Sequence, residues 1–142
     1  MLNKNSNSGD SYLGVIFSFG VIAIIIGAFY GIASHKVIRV DNEYWYTTIA
    51  GEPGEWSKGL GDTNDICDTC AMLFDFKDGV DKERTFWMKG MKFNLDIYWL
   101  DKDYNVLYVE RNLSPSTYYD YNPPQTFGQG VNARYVFEVK SR

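Results

Sequence analysis

The amino-acid sequence predicts a mostly-β protein: a small antiparallel β-barrel or sandwich preceded by a single N-terminal transmembrane helix. Three observations carry that expectation. Aromatic residues make up 17% of the chain, and Tyr, Phe and Trp favour the pleated sheet over the helix. Phe93, Leu95, Ile97 and Trp99 alternate with Asn94, Asp96 and Tyr98, the period-two pattern of a strand with one buried face. Tyr12–Ala33 runs without a charged residue, and a bilayer core needs about 20 apolar helical residues.

The chain accordingly divides into a disordered polar tail over 1–11, a transmembrane signal-anchor helix over 12–34, and an extracytoplasmic β-domain over 35–142. Met1–Ser11 is rich in Asn and Ser and has no apolar periodicity. In the span, Gly14, Gly20, Gly27 and Gly31 would weaken a soluble helix but are common in membranes. Tyr12 and Tyr30 sit near its ends, where aromatic rings favour the interface. Gly31-Ile32-Ala33 would also serve as a small-x-small cleavage site, but a signal h-region is usually about 7–15 residues and this run is longer. The spacing Gly27 to Gly31 is a GxxxG match that would let two anchors pack. His35, Lys36 and Arg39 on one side against Lys4 on the other favour a cytoplasmic domain by the positive-inside count. The N-terminal position of the span outweighs that count, because a signal anchor there translocates the domain C-terminal to it. The expectation is a single-pass protein of the cell membrane with its β-domain outside.

Val37–Val40 reads as an extended exit from the membrane, and Tyr44–Ile49 as a strand on its β-branched and aromatic content. Glu55–Leu60 offers one helical turn, stopped by Gly59 and Gly61. Ala71–Phe76 reads as a buried strand, followed by a polar turn with Asp78-Gly79 at its corner. Thr85–Met88 and Phe93–Leu100 are two further strands. The second pairs with Val106–Arg111 across the polar turn Asp101–Asn105. Pro and Gly interrupt Leu113–Asn132, a loop. Ala133–Lys140 closes the chain as a strand, with Tyr135, Phe137 and Val139 on one side and Arg134, Glu138 and Lys140 on the other. About six or seven strands with regularly spaced turns predict the barrel or sandwich.

Composition excludes several classes of function. A net charge of −4 argues against nucleic acid, since phosphate binding needs a cationic surface, and against electrostatic docking on anionic lipid. Two cysteines and one histidine allow at most three ligands of those types, so no metal site is expected. The single histidine, His35, abuts the span and leaves no partner for a Ser-His-Asp set. No Gly-rich loop links a strand to a helix, so no phosphate cradle and no cofactor are expected. Asn112-Leu113-Ser114 fits the glycosylation acceptor pattern, but Pro115 comes next and the match reads as chance.

Two groups of residues carry candidate chemistry. Trp87, Lys89, Asp96, Tyr98 and Arg134 suggest a ligand pocket. Trp87 and Tyr98 would be walls, Lys89 a donor to an anionic or hydroxyl-bearing ligand, and Asp96 an acceptor. The blander alternatives are a Lys89–Asp96 pair beside a solvated sheet face and an Arg134–Glu138 same-face ion pair. Cys67-Asp68-Thr69-Cys70 is a disulfide or redox candidate. Asp65 and Asp68 beside the sulfurs would raise a thiol pKa, and a strand rather than a helix comes after them, so a plain disulfide or two idle thiols is the bland reading.

Met72-Leu73-Phe74-Asp75-Phe76, Phe86-Trp87-Met88-Lys89, Leu95-Asp96-Ile97-Tyr98-Trp99-Leu100-Asp101 and Ala133-Arg134-Tyr135-Val136-Phe137-Glu138-Val139 occur in this order. Together they resemble the domain of unknown function 192 family, whose pattern runs GLM, GMLF-x-F, FWMKN, LDI with a following acid, and ARYV-x-EV. The resemblance covers Ser57–Val139. It implies a compact mostly-β domain, often secreted or membrane-anchored, and no established catalytic residue or substrate. Gly61 departs from the family Met and Gly90 from the family Asn. The family's usual helix and strand after EV are missing here, which leaves either a minimal domain or an exposed edge strand at the chain end.

Without a catalytic constellation, the expected function is that of a membrane-anchored extracytoplasmic module that binds a small ligand or an envelope component without catalysis. One alternative is a thiol-redox or metal-assisted accessory factor using Cys67 and Cys70. Another is an enzyme pairing Asp96 with Asp75 or Asp101.

Overall fold

The computed structural model describes residues 35–142; the predicted tail and transmembrane segment lie outside the described residues. Among those described, no helix is long and apolar enough to cross a membrane.

The domain begins with a hairpin, β1 (His35–Val40) and β2 (Glu43–Ala50). Asp41 and Asn42 both take positive φ at its corner, the backbone of a two-residue hairpin turn, which Asp and Asn tolerate better than most residues. A short helix, α1 (Pro53–Lys58), comes next. Its sequence dictates its limits. Pro53 opens it, and Glu52 and Glu55 form a reciprocal capping box. Gly59 ends it with φ 51. β3 (Cys70–Asp75), β4 (Lys82–Glu83), β5 (Leu95–Leu100), β6 (Val106–Leu113), α2 (Ser116–Tyr119), β7 (Asn132–Ala133) and β8 (Tyr135–Lys140) complete the chain.

Six strands form one sheet in the order β1-β2-β3-β8-β5-β6, and β4 pairs with β7 in a separate ribbon. The expected antiparallel barrel or sandwich needs two corrections. The sheet is open, with β1 and β6 as its edges. And β2 runs parallel to β3, because the long connection through α1 is a crossover, which parallel neighbours require.

The sheet is covered on both faces, so β5 has more than one buried side. Phe74, Met88, Leu95, Ile97, Trp99 and Val136 build the core on one face, under α1 and the segments around residues 60–91 and 113–133. Ile38, Trp45, Leu73, Tyr98, Phe137 and Val139 build the other, where the edge strands curl toward each other. Trp99 is fully buried, and its indole N–H donates to the Arg84 carbonyl at 2.6 Å. Gly128 lies flat on that ring with φ +85; a Cβ there would sit 2.3 Å from it.

Three local expectations change. Thr85–Met88 contributes only a single bridge, Phe86 to Phe127; Met88 is buried in the core while Trp87 is half exposed. The predicted strand Ala133–Lys140 breaks at Arg134: Ala133 pairs with Lys82 and Tyr135 begins β8. The strand that ends the chain is central rather than an exposed edge, flanked by β3 and β5.

The two family departures have local reasons. Gly90 has φ +73, a conformation that Asn, the usual family residue, also accepts. Gly61 lies where a Cβ would approach the Lys58 carbonyl to 2.7 Å. Its absence lets the Leu60–Asp62 turn close against Gly90, where the Asp62 N–H donates to the Gly90 carbonyl at 2.9 Å.

Candidate functional site

The five residues expected to line one pocket are dispersed over three places. Asp96 and Tyr98 lie on the concave face, between the edges of the open sheet. A β-bulge organises this place. Between the pairs Leu95–Leu113 and Ile97–Glu110, β5 has one residue, Asp96, where β6 has two, Arg111 and Asn112. A bulge re-aims the side chains beside it, and here it turns Arg111 inward. Arg111 Nη1 donates to the Tyr98 hydroxyl at 2.9 Å and to Asp96 at 3.2 Å, and Nη2 donates to Asp41 at 3.0 Å. This last contact spans the sheet opening from β6 to the β1–β2 turn. Asp96 also accepts the Asn112 N–H at 2.8 Å and the Ser141 hydroxyl at 2.5 Å. Burial pushes the Tyr98 hydroxyl above its ordinary pKa, with Arg111 opposing the shift.

Around this network lies a cleft of about 440 Å³ whose lining includes Trp45, Asp96, Tyr98, Arg111 and Arg142. Arg142 reaches over the Trp45 ring at 5.1 Å and pairs with Glu43 at 3.0 Å. Asp96 is mostly buried, whereas the Arg111 and Asp41 side chains are 53% and 50% exposed. The acid end of the network is therefore fixed and the cation end is open to competition from a ligand. Arg111 escaped the sequence reading; its signal would have been the bulge, which no spacing rule reveals.

Trp87 and Lys89 lie on the opposite face. Trp87 is half exposed, packs edge-on against Tyr118 at 5.9 Å and has the Lys89 ammonium 5.9 Å from its ring. Both line a small cavity of about 20 Å³ that also touches Trp56, Phe86 and Glu138. Neither alternative ion pair forms. Lys89 is not paired with Asp96, and Glu138 is buried away from Arg134. Burial pushes the Glu138 carboxyl up to about 8, and only the Leu60 backbone N–H favours its charged form. Its Oε2 has no hydrogen-bond partner.

Arg134 belongs to a third group. It stands 3.7 Å from Asp78, which also pairs with Lys82 at 2.8 Å and with Arg84 at 2.7 Å. Lys82 and then Arg84 hold the Asp78 carboxyl well below the usual range. The Arg84 guanidinium is buried and lies 3.9 Å above the Phe76 ring. This cluster ties the Asp78–Arg84 turn to the sheet as a structural clamp.

Cys67 and Cys70 form a disulfide that closes the turn before β3, with the Cys70 N–H donating to the Cys67 carbonyl at 2.9 Å. No helix comes after it to stabilise a thiolate. Among the described residues no group of three His, Cys, Asp or Glu side chains is placed to hold a metal ion. The carboxylate pairs also fail. Asp96 and Asp101 are five positions apart on one extended strand, roughly 16 Å at the rise of a strand, beyond the reach of paired carboxylates, which need about 10 Å or less. Asp75 is opposite Tyr135 while Asp96 is opposite Val139, a comparable separation along β8. Asp101 instead caps its own turn, accepting the Asp103 and Asn105 N–H groups at 2.8 and 2.9 Å.

The open sheet and its cleft define a small, mostly-β domain with a polar concavity. A family profile, that of an uncharacterized ACR, matches residues 36–142. The chain belongs to the domain of unknown function 192 family, DUF192. Two crystal structures share its fold. One, from Sinorhizobium meliloti 1021 and described as a candidate transcription regulator, has 20% identity and a TM-score of 0.61 over 70% of each chain. The other, a protein of unknown function from Novosphingobium aromaticivorans DSM 12444, has 19% identity and a TM-score of 0.60 over 78% of this chain and 83% of its own. At such identities the likeness concerns the fold alone. No curated protein matches the chain.

Proposed function

We propose that this protein is a non-catalytic binding module, held on the outer side of a membrane by its N-terminal segment, that takes a hydroxyl-bearing ligand of the cell envelope in the cleft between its sheet edges. The observation that carries this reading is the convergence of Asp96, Tyr98 and Arg111 on an open concavity of about 440 Å³, within the usual size range of small-ligand sites. A rigid acceptor, a half-exposed guanidinium and the neighbouring Trp45–Arg142 stack suit a ligand rich in hydroxyl groups, which both donate and accept. The uncharged run Tyr12–Ala33 supports the membrane tether, and the Cys67–Cys70 disulfide supports an oxidising compartment.

The test is a titration with neutral oligosaccharides and cell-envelope fragments, monitored by amide chemical shifts. Saturable shifts at Asp96, Tyr98 and Asn112 are expected, and Arg111→Ala should weaken binding about tenfold, about 1.4 kcal/mol. Failure of every fragment to move these amides would refute the cleft as a ligand site. A topology reporter fused after Arg142 tests location separately; activity only in the cytoplasm would refute the outward orientation.

A further inference from the structure

The cavity beneath Trp87 is independent of the cleft and lies on the other face of the sheet. Phe137 and Val139 of β8 face the cleft side, so Glu138 between them faces the opposite way. It occupies the middle of the sheet, paired with Met72 on β3 and Ile97 on β5. A carboxyl group in such a place is costly unless its polar atoms are satisfied. The Leu60 N–H alone favours the charged form. Oε2 is buried without a partner, in a residue only 4% exposed. That unpartnered group borders the cavity of about 20 Å³, enough space for one water or one ligand oxygen.

The rest of the lining indicates which ligand. Glu138 is the only acid there; the other charged residues are Lys58 from α1 and Lys89 from the turn before β5. Neither lysine is paired with an acid among the described residues, and Lys89 rests over Trp87 at 5.9 Å. A buried acid that keeps its proton is a hydrogen-bond donor, as with carboxylic acids held neutral in apolar sites. With Glu138 protonated the local charge is positive, from the two lysines of the lining. Trp56 and Phe86 are walls, and the half-exposed Trp87 offers an apolar platform outside.

We propose that the cavity floored by Glu138 receives one oxygen of a small organic carboxylate, to which the Glu138 acid donates, while Lys58 and Lys89 balance its charge and Trp87 carries its planar body. The carboxylate competes with the water that fits the same space. A cation is disfavoured because the two lysines make the lining positive.

The test uses the full chain in detergent micelles, with benzoate, benzamide and benzylammonium as probes and the Trp56 and Trp87 indole N–H resonances as readout. At about pH 6, benzoate should shift both resonances saturably and bind about tenfold more tightly than the neutral amide. Its affinity should fall as the pH rises past about 8, where Glu138 ionises and repels the ligand. Glu138→Gln still presents a donor, so it should hold benzoate within about threefold while losing the pH dependence. The Lys58→Met/Lys89→Met pair, on the surface and neutral to folding, should lose about tenfold. Preference for benzylammonium, with loss of its binding in Glu138→Gln, would overturn the proposal in favour of a cation site. So would indole resonances that stay unmoved at about 100 mM benzoate, a concentration that saturates even a millimolar complex.

Discussion

Replacing Glu138 by Gln should change the shape of the protein's pH–stability curve more than its height. In the native state the carboxyl is buried on the central strand and its pKa is pushed from 4.5 to about 8; in the unfolded chain it returns to its ordinary value. Between those limits the native state holds a proton that the unfolded state has released. Each pH unit there costs about 1.4 kcal/mol of stability. The contribution is fully present below about pH 4.5, declines through the window, and is gone above about pH 8, a total of about 5 kcal/mol. Set against a total stability of about 5–15 kcal/mol for a small domain, that loss suffices to bring the wild type near unfolding in mild alkali. Gln keeps the shape and can accept the Leu60 N–H, but it does not titrate. The assay is urea denaturation of both proteins from about pH 5 to about pH 9, read as the difference between the two free energies. Other titrating groups cancel in that difference. The difference should favour the variant progressively as pH rises, by several kcal/mol at the alkaline end. Parallel curves would mean that the carboxyl ionises as freely in the folded protein as in the unfolded one, and the buried-acid argument would be wrong.

Three further outcomes are expected from the same structure. Gly128→Ala should destabilise by about 2–4 kcal/mol, seen as a lower urea midpoint, because its Cβ would lie 2.3 Å from Trp99 at φ +85. Asp78→Asn should destabilise at neutral pH and lose that effect only as pH falls below the usual carboxylate range, toward the depressed folded pKa. The folded carboxyl is held low by Lys82 and Arg84, so its contribution exists only where it stays ionised; acid titrations of stability for the two proteins should converge. Reducing the Cys67–Cys70 disulfide should cost no more than about 2 kcal/mol, since the loop it closes is only a few residues long. The circular dichroism spectrum should remain that of the folded sheet; loss of the fold on reduction would make the bond a structural staple.

Much of the sheet was legible where one rule dominates. β2, β3, β5 and β6 are announced by β-branched and aromatic runs, and the β5–β6 hairpin by its polar turn. α1 is announced by Gly59 and Gly61 at its end. The features that escaped depend on partners distant in sequence. Nothing local in Tyr44–Ile49 or Ala71–Phe76 announces that these strands run parallel; the crossover does, and its irregular sequence reads as loop. Val37–Val40 was legible as extended but not as half of a hairpin, although Asp41-Asn42 is the turn pair that a hairpin corner favours.

The missed Glu138 shows how alternation misleads. Its place opposite Phe137 and Val139 made it look solvent-facing and ready to pair with Arg134. That inference holds for a sheet wet on one side. Here Met72, Ile97 and Val136 share the face of Glu138 and are apolar, which is the mark of a sheet buried on both sides. Read with its cross-strand neighbours, the same residue is an acid in a core. Arg134, one residue before β8, falls outside the alternation because the chain bends there, and it goes to Asp78 instead.

Strand alternation keeps the cleft around Asp96 apart from the cavity at Glu138, and it explains why those two concavities are unlike. Successive residues of a strand serve opposite faces, and both faces of β5 and β8 are covered. Asp96 and Tyr98 are thereby committed to the open side, where the edges of the sheet fail to meet. In a closed barrel, ladder hydrogen bonds between β1 and β6 would fill that gap. In this sheet a half-exposed Arg111–Asp41 pair spans it, and exposed ion pairs contribute about 0–1 kcal/mol. A ligand displacing Arg111 from Asp41 therefore gives up little, whereas displacing a ladder would cost many hydrogen bonds. The acid that anchors the network, Asp96, stays in place because three donors hold it. A fixed acceptor beside a weakly held cation is what the proposed ligand site needs, and the arrangement arises because the sheet stops one strand pairing short of closure.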